Sequence, residues 1–465
     1  MLSSWVMFLR GALSVGLMIV VALAPLPLGS NRDWGWSPLA AVTGALLILQ
    51  ATSATHSSAR DFAFFKELLV PAVLVGAVIA WILMQAMGWT PGSWGNPIRE
   101  ASRASLTPDF SISVALEREQ ALISLLRLLM YVGVFVVAAD VCAATRTARK
   151  VFAVIVCSAV TYTLYAMIAG VVNQTTVATG ISLIVPGDRQ FTGPFVNRNN
   201  YATYAAIAAL TAVAMATRTL GSTRGTVDAE STAQQWRRWL KAFSGRTSLW
   251  LAAAAILVVG VLLTGSRGGW ACLTLGMMTM MTLLARGRRW QIAAGTLAAL
   301  LVIAVAMPGG RMLLARLAEL AETGEGEMGR QYLFDMTLHA IQLRPLLGWG
   351  ANSFGSLYTL IQPEPSNLYY DKVHNTYLEL AFDLGIPAAG ALMIAVGWIA
   401  MRCLRGIRER RRDVELCVLG FCASVVVGLD ALVDFSLQIP GVTVVYAALL
   451  GAAWAQSWGS RRGAT

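Results

Sequence analysis

Residues 248–285 read SLWLAAAAILVVGVLLTGSRGGWACLTLGMMTMMTLLA, two long apolar runs separated by a short polar turn. A helix needs about 20 apolar residues to cross a bilayer, and each run approaches that length. Similar runs recur along the chain, which is 56% hydrophobic and only 13% charged, whereas soluble domains carry about 25% charge. Shorter segments of alternating hydrophobicity, which are typical of membrane β-barrels, are not found. The sequence therefore predicts an all-α polytopic membrane protein.

The apolar runs predict about twelve transmembrane helices, separated where polar residues interrupt them. The predicted spans are 10–28, 36–53, 68–88, 120–141, 151–172, 200–217, 248–264, 269–285, 291–308, 385–402, 414–432 and 441–457. Because many others follow the first span, it is predicted not to be a cleaved signal peptide. Spans 1–9 fill residues 1–308, a large loop fills 309–384, and spans 10–12 fill 385–465.

Lysine and arginine residues are distributed unevenly across this topology. With both termini in the cytoplasm, the inner segments hold 23 of them and the outer segments 12. Cytoplasmic loops of membrane proteins carry such an excess, so we predict this orientation. The net charge of +11 then reflects topology rather than nucleic-acid binding. The six cysteines lie in or beside the spans without a CxxC pair, and they indicate neither a disulfide framework nor a zinc site.

The loop at 309–384 is the longest external segment, and long ordered loops are usually functional. Apolar residues at helical spacing predict amphipathic helices at 311–323 and 330–345, and a third helix that begins at His374. We therefore expect the chemistry of this protein on its outer face. The chain shows no internal repeat, so an inverted-repeat transporter is not indicated.

Arginines near the outer ends of the spans are candidate anion-binding residues. Arg267 lies in the tight turn TGSRGGW, residues 264–270, where glycines allow close backbone approach and the next helix directs its positive dipole end outward. The alternative is an interfacial arginine that meets lipid headgroups. Arg330 is predicted to begin the second loop helix, where a bound anion would offset its unfavourable position against the dipole. For Arg330 the alternative is a solvated surface charge.

The stretch PGDRQFTGPFVNRNNYA, residues 186–202, carries two further arginines, Arg189 and Arg198, ahead of the span at 200–217. Arg198 ranks higher as a candidate because it lies at the membrane edge. Asn197 and the two asparagines that follow are suited to capping this span. Their amide groups are also suited to bonding sugar hydroxyls.

The chain contains only three histidines, His56, His339 and His374. His56 is predicted on the inner side, and His339 is predicted to pack within the core of the large loop. His374 alone lies at the outer rim, where an imidazole can act as a general base at neutral pH. The alternative is a structural histidine at a helix start.

His374 occurs in DKVHNTYLEL, residues 371–380. The charged side chains of Asp371 and Lys372 are expected to stay in water. Tyr377 and Leu378 are expected to anchor the segment to the bundle. This arrangement would hold the imidazole at the boundary between lipid and water.

Acidic residues provide two further features. Glu319, Glu322, Glu325 and Glu327 have the spacing of Mg²⁺ or Mn²⁺ ligands, but a solvated acidic face is the favoured interpretation, and no metal is predicted. Asp434, in VDFSLQIP near a membrane boundary, is expected to pair with an arginine or to line the site.

The outer face thus combines several arginines and one histidine, without a nucleophile next to a base. Arginines bind phosphate groups bidentately, and a histidine can deprotonate a hydroxyl. This set suits the displacement of a lipid diphosphate by an acceptor hydroxyl, with arginines stabilising the developing charge. Because the outer face has no ATP, a lipid-linked donor must supply the energy.

The order TGSRGGW, PLLGWGANSF, HNTYLELAFDLGIPAAG and DFSLQIP resembles the bacterial O-antigen ligase and polymerase superfamily, as does GPFVNRNNYA. The resemblance implies a helical inner-membrane fold with a large periplasmic loop between spans 9 and 10. It also implies an inverting glycosyltransferase that uses an undecaprenyl diphosphate-linked glycan, without a metal, a cofactor or a nucleotide sugar.

The resemblance assigns roles residue by residue. His374 matches the catalytic histidine, and Arg267 matches the arginine thought to engage the diphosphate. Arg330 is the best match for the loop arginine, with Arg344 as its competitor, and Arg198 is a further diphosphate candidate. The residues predicted to line the site are Arg189, Asn197, Arg344, Asn375, Tyr377 and Asp434.

The acceptor stays open at this point. A ligase transfers the glycan to lipid A-core, a polymerase transfers it to another lipid-linked repeat unit, and related enzymes glycosylate proteins. Overall resemblance favours the ligase, in lipopolysaccharide biosynthesis. A transporter or flippase of lipid-linked glycans is the rival from another class. It would place its arginines inside the bundle, whereas all but Arg127 lie at span ends or in loops.

Overall fold

The computed structural model describes residues 2–53, 59–105, 113–172, 191–222, 245–284, 325–361, 370–410 and 412–458. The regular structure within these ranges is helical throughout. Its α-helices are α1 (Leu2–Leu23), α2 (Asp33–Ser53), α3 (Ala59–Met87), α4 (Pro97–Ser105), α5 (Arg118–Val141), α6 (Thr145–Val172), α7 (Arg198–Ser222), α8 (Arg246–Leu263), α9 (Arg267–Leu284), α10 (Glu325–Leu343), α11 (Phe354–Ile361), α12 (Thr376–Leu384), α13 (Ile386–Glu409), α14 (Val414–Asp430) and α15 (Pro440–Ala455).

Six of the described helices, α2, α3, α5, α6, α8 and α13, are long and apolar enough to cross a membrane. The structure therefore confirms a polytopic helical protein. Eleven of the predicted spans overlap described helices, and the span at 291–308 lies outside the described residues. The number twelve and the orientation of the termini stay predictions.

The first helix ends earlier than the sequence predicted, at Leu23 instead of residue 28. Leu28, Gly29 and Ser30 adopt left-handed backbone angles, with φ of 52°, 69° and 53°. The turn is packed into the bundle, because a Cβ on Gly29 would lie 2.5 Å from Cδ1 of Phe195. Only glycine fits there without a shift of the neighbouring ring.

The bundle core centres on α7 and α15, whose side chains are buried over most of their lengths. Both helices are rich in alanine, and small residues let neighbouring helices approach closely in membranes. α7 packs against α8, and α15 packs against α5. In contrast, α3 exposes large apolar side chains such as Leu69 and Val73, as expected of a surface that faces lipid.

A second apolar core lies among α10, α11 and α12. Its buried members are Leu116, Leu333, Ala340, Ile341, Trp349, Phe354, Leu357, Tyr358, Val373 and Phe382. A smaller core joins this layer to α3 and α5. Nε1 of Trp81 also donates a hydrogen bond to the carbonyl oxygen of Leu384 at 2.8 Å. The helices of the large loop are therefore fixed against the bundle.

Helix α10 differs from the sequence prediction in its start and in its buried face, which the apolar spacing predicted to include Leu338. It begins at Glu325, so Arg330 lies in its second turn and the predicted start at Arg330 is wrong. Leu338 is 44% exposed, and His339, expected in the core of the loop, is exposed. The predicted helix at 311–323 lies outside the described residues.

A charged cluster around Asp413, just before α14, joins three helices at one end of the bundle. Its carboxylate accepts hydrogen bonds from Nε of Arg218 at 2.5 Å and Nη2 of Arg149 at 3.1 Å. Burial acts to raise the pKa of Asp413, but the hydrogen bond from Arg218 and the charge of Arg149 hold that pKa below its usual value. The cluster ties α6, α7 and α14 together.

Candidate active site

Helix α9 begins in the polar turn that separates two apolar helices. Oγ of Ser266 accepts a hydrogen bond from the backbone N–H of Gly269 at 3.1 Å, the arrangement of a helix N-cap. Gly265 has a φ of 63°, which lets the chain reverse within a few residues. Arg267 is the first residue of α9, and its side chain is exposed.

Helix α7 begins beside this turn, at Arg198. Oδ1 of Asn197 accepts a hydrogen bond from the N–H of Asn199 at 2.7 Å, so its predicted capping role is confirmed. A Cβ on Gly265 would lie 4.0 Å from Nη1 of Arg198. The two arginines, Arg198 and Arg267, thus belong to neighbouring helix starts. Arg189 lies outside the described residues.

The imidazole of His374 lies against a buried carboxylate. Its Nδ1 is 3.3 Å from Oδ1 of Asp434, and the two side chains are 20% and 2% exposed. This is an ion-pair distance without the alignment of a full hydrogen bond. The same carboxylate oxygen accepts the N–H of Phe435 at 2.8 Å. The Phe435 ring meets the imidazole edge to face, with centroids 4.9 Å apart.

Asp434 was expected to pair with an arginine or to line the site. Its partner is His374, and its carboxylate is buried behind the imidazole. A carboxylate in this position favours the tautomer with a proton on Nδ1 and supports the imidazolium once it forms. Nε2 is then the basic nitrogen of His374.

The residues after His374 are held by the end of α14 and the segment that follows it. Asn375 caps α12, accepting the N–H of Leu378 at 3.0 Å and donating from Nδ2 to the carbonyl oxygen of Leu432 at 3.0 Å. The hydroxyl of Tyr377 donates to the carbonyl oxygen of Gly428 at 2.8 Å. The expected anchoring by Tyr377 is therefore confirmed, whereas Leu378 packs against the second apolar core, among α10, α11 and α12.

The segment between α14 and α15 connects the helix starts that carry Arg198 and Arg267 to the pair formed by His374 and Asp434. A Cβ on Gly268 would lie 3.3 Å from Cγ2 of Val433, the residue before Asp434. Oγ1 of Thr203, in the second turn of α7, donates to Oδ1 of Asp430 at 2.8 Å. The starts of α7 and α9 thus lie at the same end of the bundle as His374.

The two loop arginines have different surroundings. The guanidinium of Arg344 donates to the carbonyl oxygens of Gly348, Gly95 and Trp94 at 2.9, 2.8 and 2.8 Å. Burial also lowers its pKa. Arg344 therefore stabilises the backbone of the large loop and links it to Trp94 and Gly95, in the segment before α4. Arg330 lies on α10, and its side chain falls outside the described part of the structure.

A buried polar network next to His374 was missed from the sequence. Nζ of Lys372 donates to Oε1 of Glu379 at 3.1 Å and to Oδ1 of Asn352 at 2.8 Å. The expectation that Lys372 stays in water is therefore wrong. Asp383 accepts the N–H of Asn352 at 2.8 Å. Two carboxylates four residues apart on an otherwise apolar helix were the available signal.

A metal centre has no support from the side chains that the structure describes, among which no group of three or more His, Cys, Asp or Glu residues could hold an ion. The acidic run from Glu319 to Glu327 lies outside those side chains. What the described site offers is a histidine backed by a carboxylate, next to two arginine-bearing helix starts.

The family comparison agrees with the motifs. Residues 252–393 match the family model described as O-antigen ligase. The matched region includes the Arg267 turn, helices α10, α11 and α12, and the His374 segment. The match supports membership of the O-antigen ligase superfamily and, in general terms, a ligase- or polymerase-type function. No curated protein matches the chain.

Proposed function

We propose that this chain, which carries an O-antigen ligase domain, is an inner-membrane glycosyltransferase that acts at the periplasmic face. It transfers a glycan from undecaprenyl diphosphate to an acceptor hydroxyl on lipid A-core. The single observation that carries the proposal is the 3.3 Å contact between Nδ1 of His374 and the buried carboxylate of Asp434. We assign the imidazole of His374 the role of general base, at the end of the bundle where the helix starts that carry Arg198 and Arg267 lie.

The reaction follows from the roles of these groups. Nε2 of His374 takes the proton of the acceptor hydroxyl, and the acceptor oxygen attacks the anomeric carbon of the donor. The bond between that carbon and the diphosphate oxygen breaks on the opposite side, which inverts the anomeric configuration. Undecaprenyl diphosphate leaves with the bonding electron pair, and Asp434 stabilises the imidazolium that has formed.

Arg267 and Arg198 stabilise the leaving diphosphate in this proposal. Each lies in the first turn of a helix, where the helix dipole adds partial positive charge. Guanidinium groups bind phosphate oxygens bidentately, and charge stabilisation of this kind is a large term in catalysis. Arg330 is retained as a third candidate for the diphosphate. These groups supply cationic charge without a metal, so EDTA is expected to leave transfer unchanged.

The experiment is reconstitution of the full chain in vesicles with lipid-linked glycan and lipid A-core. His374→Ala is expected to abolish transfer while insertion and donor binding persist. His339→Ala is the matched control, because His339 lies exposed on α10. Transfer that survives in His374→Ala would refute the proposal.

The same assay separates the alternative functions. A polymerase would lengthen the lipid-linked donor when a second repeat unit is the acceptor, and it would leave lipid A-core unmodified. A flippase would move the donor between leaflets without forming a glycosidic bond, and its transport would not require His374. Product analysis by mass spectrometry and a leaflet-accessibility assay distinguish these outcomes.

A further inference from the structure

His374 has a backbone conformation that its own side chain does not favour. Its φ is 59°, in the left-handed region that non-glycine residues rarely adopt. Such a conformation costs on the order of 1 to 3 kcal/mol and persists only where the surroundings fix it. The residues on both sides of His374 therefore have to be held.

The residues before His374 are held by one carboxylate. Oε2 of Glu379 accepts the backbone N–H of Val373 at 2.9 Å, and Oε1 accepts Nζ of Lys372 at 3.1 Å. Glu379 is only 1% exposed. It lies in the first turn of α12 and reaches back across the helix start, so that both of its oxygens bind the approach to His374.

Lys372 connects this carboxylate to a second left-handed residue. Its Nζ also donates to Oδ1 of Asn352 at 2.8 Å, and Asn352 has a φ of 60°. Asn352 in turn donates from Nδ2 to Oε1 of Gln120 at 2.8 Å. The approach to His374 is thereby tied to the loop before α11 and to α5.

Asp383 completes the network one turn along α12. It accepts the N–H groups of Asn352 and Ser353 at 2.8 and 3.3 Å. Burial and then the charge of Glu379 raise the pKa of Asp383 well above its usual value, while the two N–H groups and Lys372 oppose this rise. The ammonium group of Lys372 forms an ion pair with Glu379, with Nζ 3.1 Å from Oε1.

We infer that Glu379 is a positioning residue that fixes the imidazole of His374 through Val373 and Lys372. The inference rests on the proposed function, in which His374 is the base. Glu379 itself is buried and contacts two neighbours of His374, and it plays no part in proton transfer. An imidazole displaced by about 1 Å from its productive position would lower the rate on the order of 10²-fold.

The test is Glu379→Gln in the full chain. Glutamine has one side-chain oxygen, so an NH₂ group would face either Val373 N–H or Lys372 Nζ. Val373 would then lose its acceptor, or Lys372 would keep only its bond to Asn352. We expect kcat for transfer to fall on the order of 10²-fold with an unchanged KM for the donor. Asp335→Asn is the control, because Asp335 is an exposed carboxylate on α10.

A second measurement reads the position of His374 without relying on activity. The chain has three histidines, so ¹³C,¹⁵N-histidine labelling gives few ring signals, which His374→Ala and His339→Ala assign. Glu379→Gln is expected to move the His374 signals and leave those of His339 in place. Wild-type kcat together with unmoved His374 signals would overturn the inference.

Two further outcomes are decisive. If the His339 signals also collapse in Glu379→Gln, Glu379 acts in general folding and the positioning role is refuted. If His374→Ala retains transfer, the proposed function fails, whereas the shift of the His374 signals still reports on the positioning. Failure of the one is thus distinguishable from failure of the other.

Discussion

Replacing Asp434 with asparagine removes a negative charge 3.3 Å from Nδ1 of His374 and keeps the shape of the side chain. The amide oxygen can still accept the N–H of Phe435, which lies 2.8 Å from the carboxylate. Because the same oxygen position lies nearest to Nδ1 of His374, the amide oxygen would also face the imidazole. The tautomer with a proton on Nδ1 is therefore kept, and the variant loses the negative charge that stabilises the imidazolium.

The size of the effect follows from the distance. Two unit charges 3.3 Å apart interact by about 5 kcal/mol at an effective dielectric constant of about 20. The imidazole is 20% exposed, and its proton is only partly transferred in the transition state. About half of this energy, roughly 2.5 kcal/mol, is then added to the activation free energy of the variant. That corresponds to a decrease in kcat on the order of 10²-fold.

The assay measures initial rates of glycan transfer in vesicles at saturating acceptor, with the donor concentration varied. We expect Asp434→Asn to lower kcat and to leave the donor KM within about twofold, since the carboxylate is only 2% exposed and lies behind the imidazole. Asp371→Asn is the matched control, because Asp371 is exposed three residues before His374. A wild-type kcat in Asp434→Asn would refute the pairing as a catalytic feature.

Three further predictions concern other groups. Arg267→Ala should lower kcat/KM for the donor on the order of 10²-fold. Arg246→Ala, at the end of α8 that is far from the Arg267 turn, should leave kcat/KM unchanged. Equal kcat/KM values for the two variants would contradict the diphosphate role. Arg344→Met should lower the free energy of unfolding by roughly 2 to 3 kcal/mol, because three carbonyl groups lose their donor. The donor KM should stay unchanged. A raised KM at unchanged stability would instead place Arg344 at the donor. Asp413→Asn should destabilise the protein at neutral pH and converge with wild type under acid conditions. The sign follows because the lowered pKa of Asp413 gives stability that is present above about pH 4 and lost as the pH falls through the folded-state value; thermal midpoints measured against pH check this, and a constant gap would contradict it.

The membrane helices were predictable because each is specified locally. A charge-poor run such as 248–264 must form a helix in a bilayer, where every backbone group needs an internal partner, and α8 (Arg246–Leu263) follows that run closely. The end of α1 was not predictable in this way, since the turn at Gly29 depends on Phe195, a residue far along the chain.

The loop helices show where local patterns fail. Two glycines, Gly326 and Gly329, precede Arg330, which was predicted to begin this helix, yet α10 begins at Glu325. Glycine has a low helix propensity, but the tertiary context of a segment often overrides propensity. The burial of Leu333 and Ile341 sets the inner face of α10, and His339 falls on the opposite side of the helix.

The residues of the candidate site were found individually, but their relations were not. Composition identified His374 because histidine is scarce, and the turn chemistry around Arg267 was visible from its glycines. Asp434 is 60 residues away from His374 in the sequence, and no local pattern pairs them. The role of Lys372 was misjudged for the same reason, since its partner Asn352 lies in a different turn.

The position of His374 accounts for several costly features that occur together. The residues before it are hydrogen-bonded to Glu379 on α12, and those after it are hydrogen-bonded to the end of α14. His374 therefore lies where the layer of α10, α11 and α12 meets the bundle that carries Arg198 and Arg267. Left-handed backbone at a non-glycine residue opposes folding. So does a buried carboxylate oxygen, Oδ2 of Asp434, that has no hydrogen-bond partner among the described residues. Local rules are broken in this way mainly at functional sites, and here both violations converge on one imidazole.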